Sequence, residues 1–409
     1  MSASISRHFV AEKVKALCVV SDVHYASDKL QNEHEGLPLI AAGGWDRETN
    51  HITLHLPVRP TRDEKELHKE FKGGDSEARP CELNTLAEVE HEGDVNALRV
   101  VTARGEPLLA SASSAGGVFV FHLTGADDAN MTDGGSVRPL TMLAMPQWEQ
   151  VFAGTSATCV EVSENRMSLV TASAIGTLAW LKLDDLASVD KIENKNASRL
   201  PINAVKFLGR DSVVATVGSA PASQLRVWDI AANNQFPVMI CADPSSRGIL
   251  TTLETHPTQP ELLITGADDG RVMFWDRRKL SAPFRTEAYH QRAIRALKLH
   301  AASPRYLYTG GDDTVVMSWD FHHGRKLCNP IEYERSSEST ASQNSTPFDS
   351  CATAFNGVSK GRGSLCVQQL ASGSLPWNAM ALHADSDTLV VGSDAQSIVI
   401  VQQVSKWKQ

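Results

Sequence analysis

Apolar and polar residues alternate in short runs along this chain of 409 residues, and turn-forming residues separate the runs. The most regular group covers residues 262–276, where the turn Asp268-Asp269-Gly270 precedes a run that places Val272 and Phe274 on one face. Alternation with a period of two predicts a strand with one buried face, and an Asp-Gly turn between two strands predicts a hairpin. Residues 306–320 repeat this layout. The pattern therefore predicts a series of β-hairpins.

Three of these groups end in the same dipeptide, at Trp228-Asp229, Trp275-Asp276 and Trp319-Asp320, and the pairs are 47 and 44 residues apart. A repeat of about 40–45 residues that ends in Trp-Asp is typical of a blade of a WD-repeat β-propeller. One four-stranded blade cannot bury both of its faces alone, so the repeat predicts a closed ring of blades.

Four weaker copies lack the tryptophan at that position but keep two apolar runs around a turn. They cover residues 39–55, 108–121, 169–181 and 389–401. Another alternating strand precedes each copy, and a ring of seven blades leaves the fewest strands unexplained. The sequence therefore predicts an all-β fold, a single seven-bladed propeller spanning residues 1–409.

The ring also needs a closing strand, because the seventh copy ends near Val401 without a fourth strand. Residues 8–14 precede the first blade and have no other position in the repeat. We expect this N-terminal strand to pair with the seventh blade, which would remove two unpaired sheet edges.

Three inserts interrupt the repeat, at about 57–85, 124–140 and 328–375. Mixed charges at 62–70 predict two helical turns in the first insert, and the second is a loop by composition. The Ser/Thr-rich segment 336–346 predicts disorder in the third. The inserts belong to blades one, two and six, so we expect them on one arc of the ring.

Charge and composition exclude several classes of function. The formal net charge is −9 and no apolar run approaches the length of a membrane span, so neither nucleic-acid binding nor membrane insertion is expected. The start of the chain has no apolar signal core, and the seven cysteines are scattered without a Cys-x-x-Cys motif. These features predict reduced thiols in the cytosol or nucleus.

Candidate site residues occur at regular blade positions. His290, Thr309, Asp313 and Trp319 match the internal hydrogen-bond chain of a blade, in which a buried indole N–H needs an acceptor. Residues Thr265, Asp269 and Trp275 repeat the pattern without the histidine, His91 keeps the histidine alone, and Trp228-Asp229 marks a further blade end. We interpret these residues as structural.

Candidates for chemistry are few. His51 and His55 share a strand face and His322 is adjacent to His323, but no Cys or further His lies at a metal-site spacing. We therefore expect these histidines at surface or edge positions. No nucleophile motif, phosphate loop or dinucleotide-binding turn is present, so the sequence predicts no enzyme, no cofactor and no metal.

One segment permits an alternative function. Trp275-Asp276-Arg277-Arg278, with Asp269 upstream, resembles the Trp-Asp-x-Arg box of WD-repeat substrate receptors for cullin ubiquitin ligases. An ordinary blade end with an exposed Arg278 explains the same residues.

Features along the whole chain resemble one family, the small WD-repeat nucleoporin of the Y-shaped outer-ring complex of the nuclear pore. The matching stretches are residues 9–14, Gly43-Gly44-Trp45-Asp46 with 50–54, and residues 91–95, 224–229, 256–257, 265–270 and 392–398. The resemblance spans roughly residues 9–402. It departs in the inserts at 57–85 and 328–375, and at His55, where the family tends to have Trp.

The resemblance implies a non-enzymatic scaffold subunit that acts in pore assembly and nucleocytoplasmic transport, including that of mRNA. It implies docking onto an α-solenoid nucleoporin of the short arm of the Y complex, as one copy in a hetero-oligomer. It further implies a location at the nuclear envelope in the nuclear pore complex, and at kinetochores in mitosis. No contact residue is carried over by motif.

Overall fold

The computed structural model describes the chain in several segments separated by gaps. The described residues are 4–20, 37–58, 81–103, 106–123, 140–163, 168–183, 189–192, 200–209, 212–220, 224–232, 236–241, 248–279, 281–321 and 365–406. No helix within these segments is long and apolar enough to cross a membrane.

Almost every described element is a β-strand, and the strands form seven antiparallel sheets of four. Blade one contains β2 (Lys13–Val20), β3 (Leu39–Trp45), β4 (Asn50–Val58) and β5 (Glu82–His91), and blade two contains β6 (Val95–Ala103), β7 (Glu106–Ser113), β8 (Val118–Leu123) and β9 (Leu140–Leu143). Blade three contains β10 (Ala157–Val162), β11 (Ser168–Ser173), β12 (Leu178–Lys182) and β13 (Val189–Ile192), and blade four contains β14 (Ile202–Phe207), β15 (Val213–Gly218), β16 (Leu225–Asp229) and β17 (Met239–Cys241).

The remaining three blades follow the same order. Blade five contains β18 (Leu250–Thr255), β19 (Leu262–Ala267), β20 (Arg271–Asp276) and β21 (Arg285–Ala288), and blade six contains β22 (Ile294–Leu299), β23 (Tyr306–Gly311), β24 (Val315–Asp320) and β25 (Cys366–Ser372). Blade seven contains β26 (Trp377–His383), β27 (Thr388–Ser393), β28 (Ser397–Gln402) and the N-terminal β1 (Ser4–Phe9). A short helix, α1 (Pro146–Glu149), and a 3₁₀ turn at Val404–Lys406 complete the described elements. The predicted seven-bladed propeller is confirmed.

The N-terminal strand closes the ring, as predicted, but its bounds differ from the predicted residues 8–14. Strand β1 runs from Ser4 to Phe9 and pairs with β28 along its whole length. Lys13 already lies opposite Trp45 in the first blade, so residues 10–12 turn from one blade to the other. Alternation alone cannot separate two strands joined by so short a turn.

Each inner strand carries a β-bulge near its start, in all seven blades. A bulge leaves one residue unpaired and redirects its side chain. The unpaired residues are Lys15, Asn96, Thr158, Asn203, Thr251, Arg295 and Asn378. These side chains therefore form a ring around the start of the channel.

Glycines in the second strands allow neighbouring blades to pack closely. A Cβ at Gly43 would overlap the side chain of Val95 in the next blade, and a Cβ at Gly392 would overlap Val14. Both valines are buried. This packing gives a physical reason for the glycines in Gly43-Gly44-Trp45-Asp46 and in residues 392–395.

The predicted inserts lie mostly outside the described residues. Residues 57–58 belong to β4, residues 82–85 belong to β5, Leu140 begins β9, and residues 366–372 form β25. The segment 62–70, the Ser/Thr-rich segment and His322-His323 also lie outside the described part. Cys18, Cys81, Cys159 and Cys241 are free thiols as expected, whereas Cys366 is disulfide-bonded, so the expectation of reduced thiols is wrong there.

Candidate functional site

Blade six contains a continuous hydrogen-bond chain that joins its strands. The indole N–H of Trp319 donates to Thr309 Oγ1 at 2.9 Å, and His290 Nε2 lies 2.7 Å from the same oxygen. His290 Nδ1 lies 2.8 Å from Asp313 Oδ2. Burial alone would raise the pKa of Asp313, but the hydrogen bond and charge of His290 outweigh it and hold this pKa below its usual value. The structure thus brings all four predicted residues together.

Blades five and four contain shorter versions of this chain. Trp275 donates to Thr265 Oγ1, and Trp228 donates to Thr216 Oγ1, each at 2.9 Å. Thr216 was missed by sequence reasoning, although it occupies the same second-strand position as Thr265. Asp269 does not join Thr265, because its carboxylate binds the backbone N–H and guanidinium of Arg271.

Blade two has a histidine–serine contact in place of the hydrogen bond from a tryptophan to a threonine. His91 Nε2 lies 2.8 Å from Ser111 Oγ, and the imidazole packs edge-on against Phe119 with ring centroids 5.2 Å apart. Burial lowers the pKa of His91, against the raising effects of its bond to the Gly93 carbonyl and of Asp94. These chains are buried within the blades, so they can fix strand positions but present no reactive group at an open cleft.

The residues of the alternative ligase box are spread along β20 and its two ends. Asp269 precedes β20 and Arg278 follows it, so the extended chain separates them by about 20 Å or more. Trp275 is buried. Asp229, which belongs to the Trp-Asp pair of blade four, accepts a hydrogen bond from the Ala231 N–H. Arg278 Nη2 donates to Asp276 Oδ2 at 2.6 Å, and this bond lowers the pKa of Asp276.

The strand-face histidines of blade one have different environments. His55 is buried between Thr53 Oγ1 at 2.8 Å and Thr85 Oγ1 at 3.1 Å, so its expected surface position is wrong. Burial, helped by the nearby charge of His8, lowers the pKa of His55 to about 4. The sequence did not show that β4 pairs with β5, because the first insert separates the two strands along the chain.

His51 belongs to the one group of three potential metal ligands among the described residues. Its Nδ1 lies 2.7 Å from Glu12 Oε1 and 3.7 Å from Glu88 Oε1. The Glu12 carboxylate also accepts the His51 backbone N–H and lies 3.7 Å from Arg47. Arg47 and His51 both contact this carboxylate, so Glu12 holds the group together through its two oxygens.

Five charged side chains of alternating sign line the central channel, one on the inner strand of each blade from two to six. Arg99 Nη2 lies 3.0 Å from Glu161, whose carboxylate is 3.2 Å from Lys206. Lys206 lies 3.1 Å from Glu254, which is 3.2 Å from Lys298. We call these five residues the channel ladder. The sequence analysis did not predict this ladder. Each member nevertheless lies four residues after the paired residue that precedes the bulge in its strand.

The ladder keeps its charges although it is largely buried. Burial would raise the pKa of Glu161, but Arg99, Lys206 and Lys298 outweigh burial and hold this pKa at about 2. The pKa of Lys206 is raised, because Glu161 and Glu254 outweigh its desolvation. For Lys298 the desolvation outweighs the opposing effect of the Glu254 charge, so the pKa of this lysine is lowered. The last cation of the ladder is therefore its least compensated member.

Six of the seven bulge residues bond to the next blade or to the loop that leads into it, and Arg295 pairs within its own blade. Asn96 donates to the Ala157 carbonyl at 2.6 Å, and Asn203 donates to the Leu250 carbonyl at 2.7 Å. Thr158, Thr251 and Asn378 make the equivalent bonds to Ile202, Ile294 and Val14. Lys15 and Arg295 instead pair with Asp94 and Asp312. These bonds brace the ring around its channel.

At the end where the bulge residues lie, the channel opens into a cavity of about 810 Å³. Its wall includes Trp45, whose indole N–H donates to Asp394 Oδ1 at 2.9 Å, and Lys15 stacks over the same ring. Trp45 belongs to the Gly43–Asp46 stretch, so this motif both packs a blade and shapes the cavity.

The outer edge of blade four carries a run of exposed apolar side chains. Phe236, Val238, Met239 and Ile240 are 52%, 60%, 47% and 54% exposed. We call these four residues the blade-four apolar edge. Contiguous exposed apolar surface marks protein-interaction sites in soluble proteins. An edge strand of this kind also offers backbone groups to a partner.

Comparison with known proteins supports one family. The chain is 28% identical to nucleoporin Nup43 of Homo sapiens over 253 residues, which cover 59% of this chain and 58% of the human protein. The chain is similar to Nup43. The mouse protein is 27% identical over the same length, and the nuclear pore complex protein nup43 of Dictyostelium discoideum is 25% identical over 125 residues.

The resemblance to the small WD-repeat nucleoporin is thus confirmed, although no protein-family model matches the chain. The match covers less than two thirds of the length of the human and mouse Nup43 proteins. Similarity to nucleoporins and a WD-repeat propeller together favour a structural role over an enzymatic one.

Proposed function

We propose that this protein is a non-enzymatic scaffold subunit of the outer-ring (Y) complex of the nuclear pore. The observation that carries this proposal is the similarity to Nup43 over 253 residues, which combines with a closed seven-bladed ring. Hydrogen-bond chains, glycine contacts and bulge bonds brace that ring from within. A rigid ring presents fixed surfaces, and such presentation is what a scaffold requires.

The partner in this proposal is an α-solenoid nucleoporin of the short arm of the complex, and the protein contributes one copy to the hetero-oligomer. The blade-four apolar edge is the surface we assign to that partner, because a helix with one apolar face covers such a strip well. Buried aromatic and aliphatic anchors supply most of the energy in interfaces of this type.

In this role the protein supports pore assembly and transport of protein and mRNA from the nuclear envelope, and it joins kinetochores in mitosis. His290, Thr309, Asp313 and Trp319 act as structural blade residues, as do Thr265, Trp275 and Trp228. Asp269 and Asp229 cap local turns, since both accept nearby backbone N–H groups.

A tagged copy tests the location and the partners together. We expect fluorescence at the nuclear rim in interphase and co-purification of outer-ring nucleoporins. A diffuse signal combined with no nucleoporin in the purified material would contradict the proposal. Bound cullin components would instead support the ligase-receptor alternative, for which partly exposed Arg278 is the one favourable observation.

Arg278→Ala separates the two functions. The substitution removes the guanidinium that a ligase adaptor would contact, so it should abolish any cullin association. It should leave nuclear-rim fluorescence unchanged, because Arg278 lies on blade five and is not part of the blade-four apolar edge. Lys279→Ala, which removes a neighbouring exposed charge, is the matched control.

A further inference from the structure

The channel ladder is incomplete, because two of the seven equivalent positions carry no charge. In blades one and seven these positions are Cys18 and Ala381, which pair with second-strand residues in the same register as the ladder members. The ladder therefore contains three cations and two carboxylates. One positive charge of the ladder therefore has no ladder carboxylate to balance it, and burial of an unbalanced charge is costly.

The unbalanced charge is concentrated at the two ends of the ladder. Lys298 Nζ has three N–H donors, and among the described residues it lies within hydrogen-bond distance of Glu254 alone. Arg99 donates hydrogen bonds to Glu161 and to the Leu98 carbonyl. Its guanidinium has more N–H groups than these bonds use. Blades seven and one separate the two ends, and their uncharged Ala381 and Cys18 leave a gap in the row of ladder charges.

The two end cations of the ladder also act on the thiol of Cys18. Burial raises the pKa of its thiol, whereas Arg99 and Lys298 both act to lower it. A cavity of about 150 Å³ lies in the channel, and its wall includes Arg99, Lys206 and Lys298 but neither Cys18 nor Ala381. This volume accommodates a small ion with some of its water but not a bulky ligand.

We propose that the channel binds one small monovalent anion between Arg99 and Lys298, in the cavity whose wall both side chains help to form. The anion supplies the missing negative charge and accepts hydrogen bonds from the ammonium and the guanidinium. A free halide and a carboxylate side chain that a partner inserts through the channel mouth share this chemistry. The site is thus specific for charge and size.

Bromide is a direct probe of the site in the full-length protein. Crystals soaked in sodium bromide should show an anomalous peak within hydrogen-bond distance of Lys298 Nζ and the Arg99 guanidinium. Lys298→Met should lose this peak, while Lys279→Met, which removes an exposed lysine outside the channel, should keep it. A channel without a peak in the unsubstituted protein would overturn the proposal.

Ala381→Asp tests the charge argument without removing any native contact of the ladder. The new carboxylate would lie beside Lys298 and complete the alternation of signs. We expect loss of the bromide peak, together with loss of any bromide-dependent rise in the thermal midpoint at constant ionic strength. Bromide binding that persists in Ala381→Asp would overturn the assignment. This variant remains informative even if Lys298→Met fails to fold.

A complex purified with its partner distinguishes the two sources of the anion. If the anion is a free halide, bromide binds both the isolated protein and the complex. If a partner carboxylate fills the gap, bromide binds the isolated protein but is excluded from the complex. Both results support the site, and the absence of bromide from both forms overturns it.

Discussion

The hydroxyl of Thr309 lies between the indole N–H of Trp319, at 2.9 Å, and Nε2 of His290, at 2.7 Å. One buried oxygen therefore satisfies two side chains, one from β24 and one from the loop that precedes β22. Blade five has the same Trp–Thr bond, at 2.9 Å, but no histidine. The two blades form a natural pair for measuring what the histidine adds.

Thr309→Val should destabilise the protein by about 2–4 kcal/mol, because the isosteric change leaves both the indole N–H and the imidazole unsatisfied. Thr265→Val leaves only one indole N–H unsatisfied and should cost about 1–2 kcal/mol. Urea unfolding gives both values. Equal losses in the two variants would show that His290 contributes nothing through Thr309.

Gly392→Ala should destabilise the contact between blades seven and one, because the new methyl group would overlap Val14. Overpacking of this kind typically costs about 1–3 kcal/mol. Gly310→Ala, at the equivalent position of blade six, would meet its nearest neighbour at an ordinary 3.4 Å and should be tolerated. Val14→Ala removes the nearest overlapping atom, Cγ1, and should partly rescue Gly392→Ala in a double-mutant cycle. A lack of rescue would contradict the packing explanation.

The blades could be predicted from sequence because their hairpins are local and each strand buries one face, as residues 262–276 show. The channel ladder could not, since Arg99 and Glu161 lie on different blades, 62 residues apart, in strands that look alike in sequence. The same limit hid His55, whose partner Thr85 lies 30 residues away. Contacts between strands that are far apart in sequence depend on which residues lie opposite each other, and alternation alone does not determine this register.

The stability of the protein should fall as the pH drops, partly through His55. The pKa of this histidine is about 4 in the folded chain instead of the ordinary 6.5, so the unfolded chain takes up the proton first. The contribution is therefore present above pH 6.5 and is lost as the pH falls towards 4. A shift of this size corresponds to about 3 kcal/mol.

His55→Gln should flatten this part of the pH profile, because glutamine can bond Thr53 and Thr85 without titrating in the range. The measurement is the free energy of unfolding at a series of pH values. His51→Gln, on the same strand with its ring partly exposed, controls for the loss of a histidine. An unchanged slope in His55→Gln would show that another group is responsible.

Deletion of residues 1–9 should make the protein less soluble and lower its thermal midpoint. The deletion removes β1, exposes the backbone edge of β28 and breaks the bond from Arg7 Nη2 to the Ser372 carbonyl at 2.6 Å. Arg7→Ala removes that bond and the contact of Arg7 with the Trp377 ring but keeps β1, so it should have a small effect. A soluble truncated protein with an unchanged midpoint would contradict closure of the ring by β1.

Paired charges on the blade-four apolar edge should weaken partner binding without unfolding the propeller. Val238→Asp with Ile240→Asp places two carboxylates on side chains that are 60% and 54% exposed, so the cost in folding should be small. We expect at least a tenfold loss in retention of the outer-ring nucleoporins, because a desolvated apolar contact would gain unpaired charges. Ile175→Asp, on an exposed turn of blade three, is the matched control and should retain the partner. Full retention by the double variant, with a normal thermal midpoint, would move the docking surface to another part of the ring while leaving the nucleoporin similarity in place.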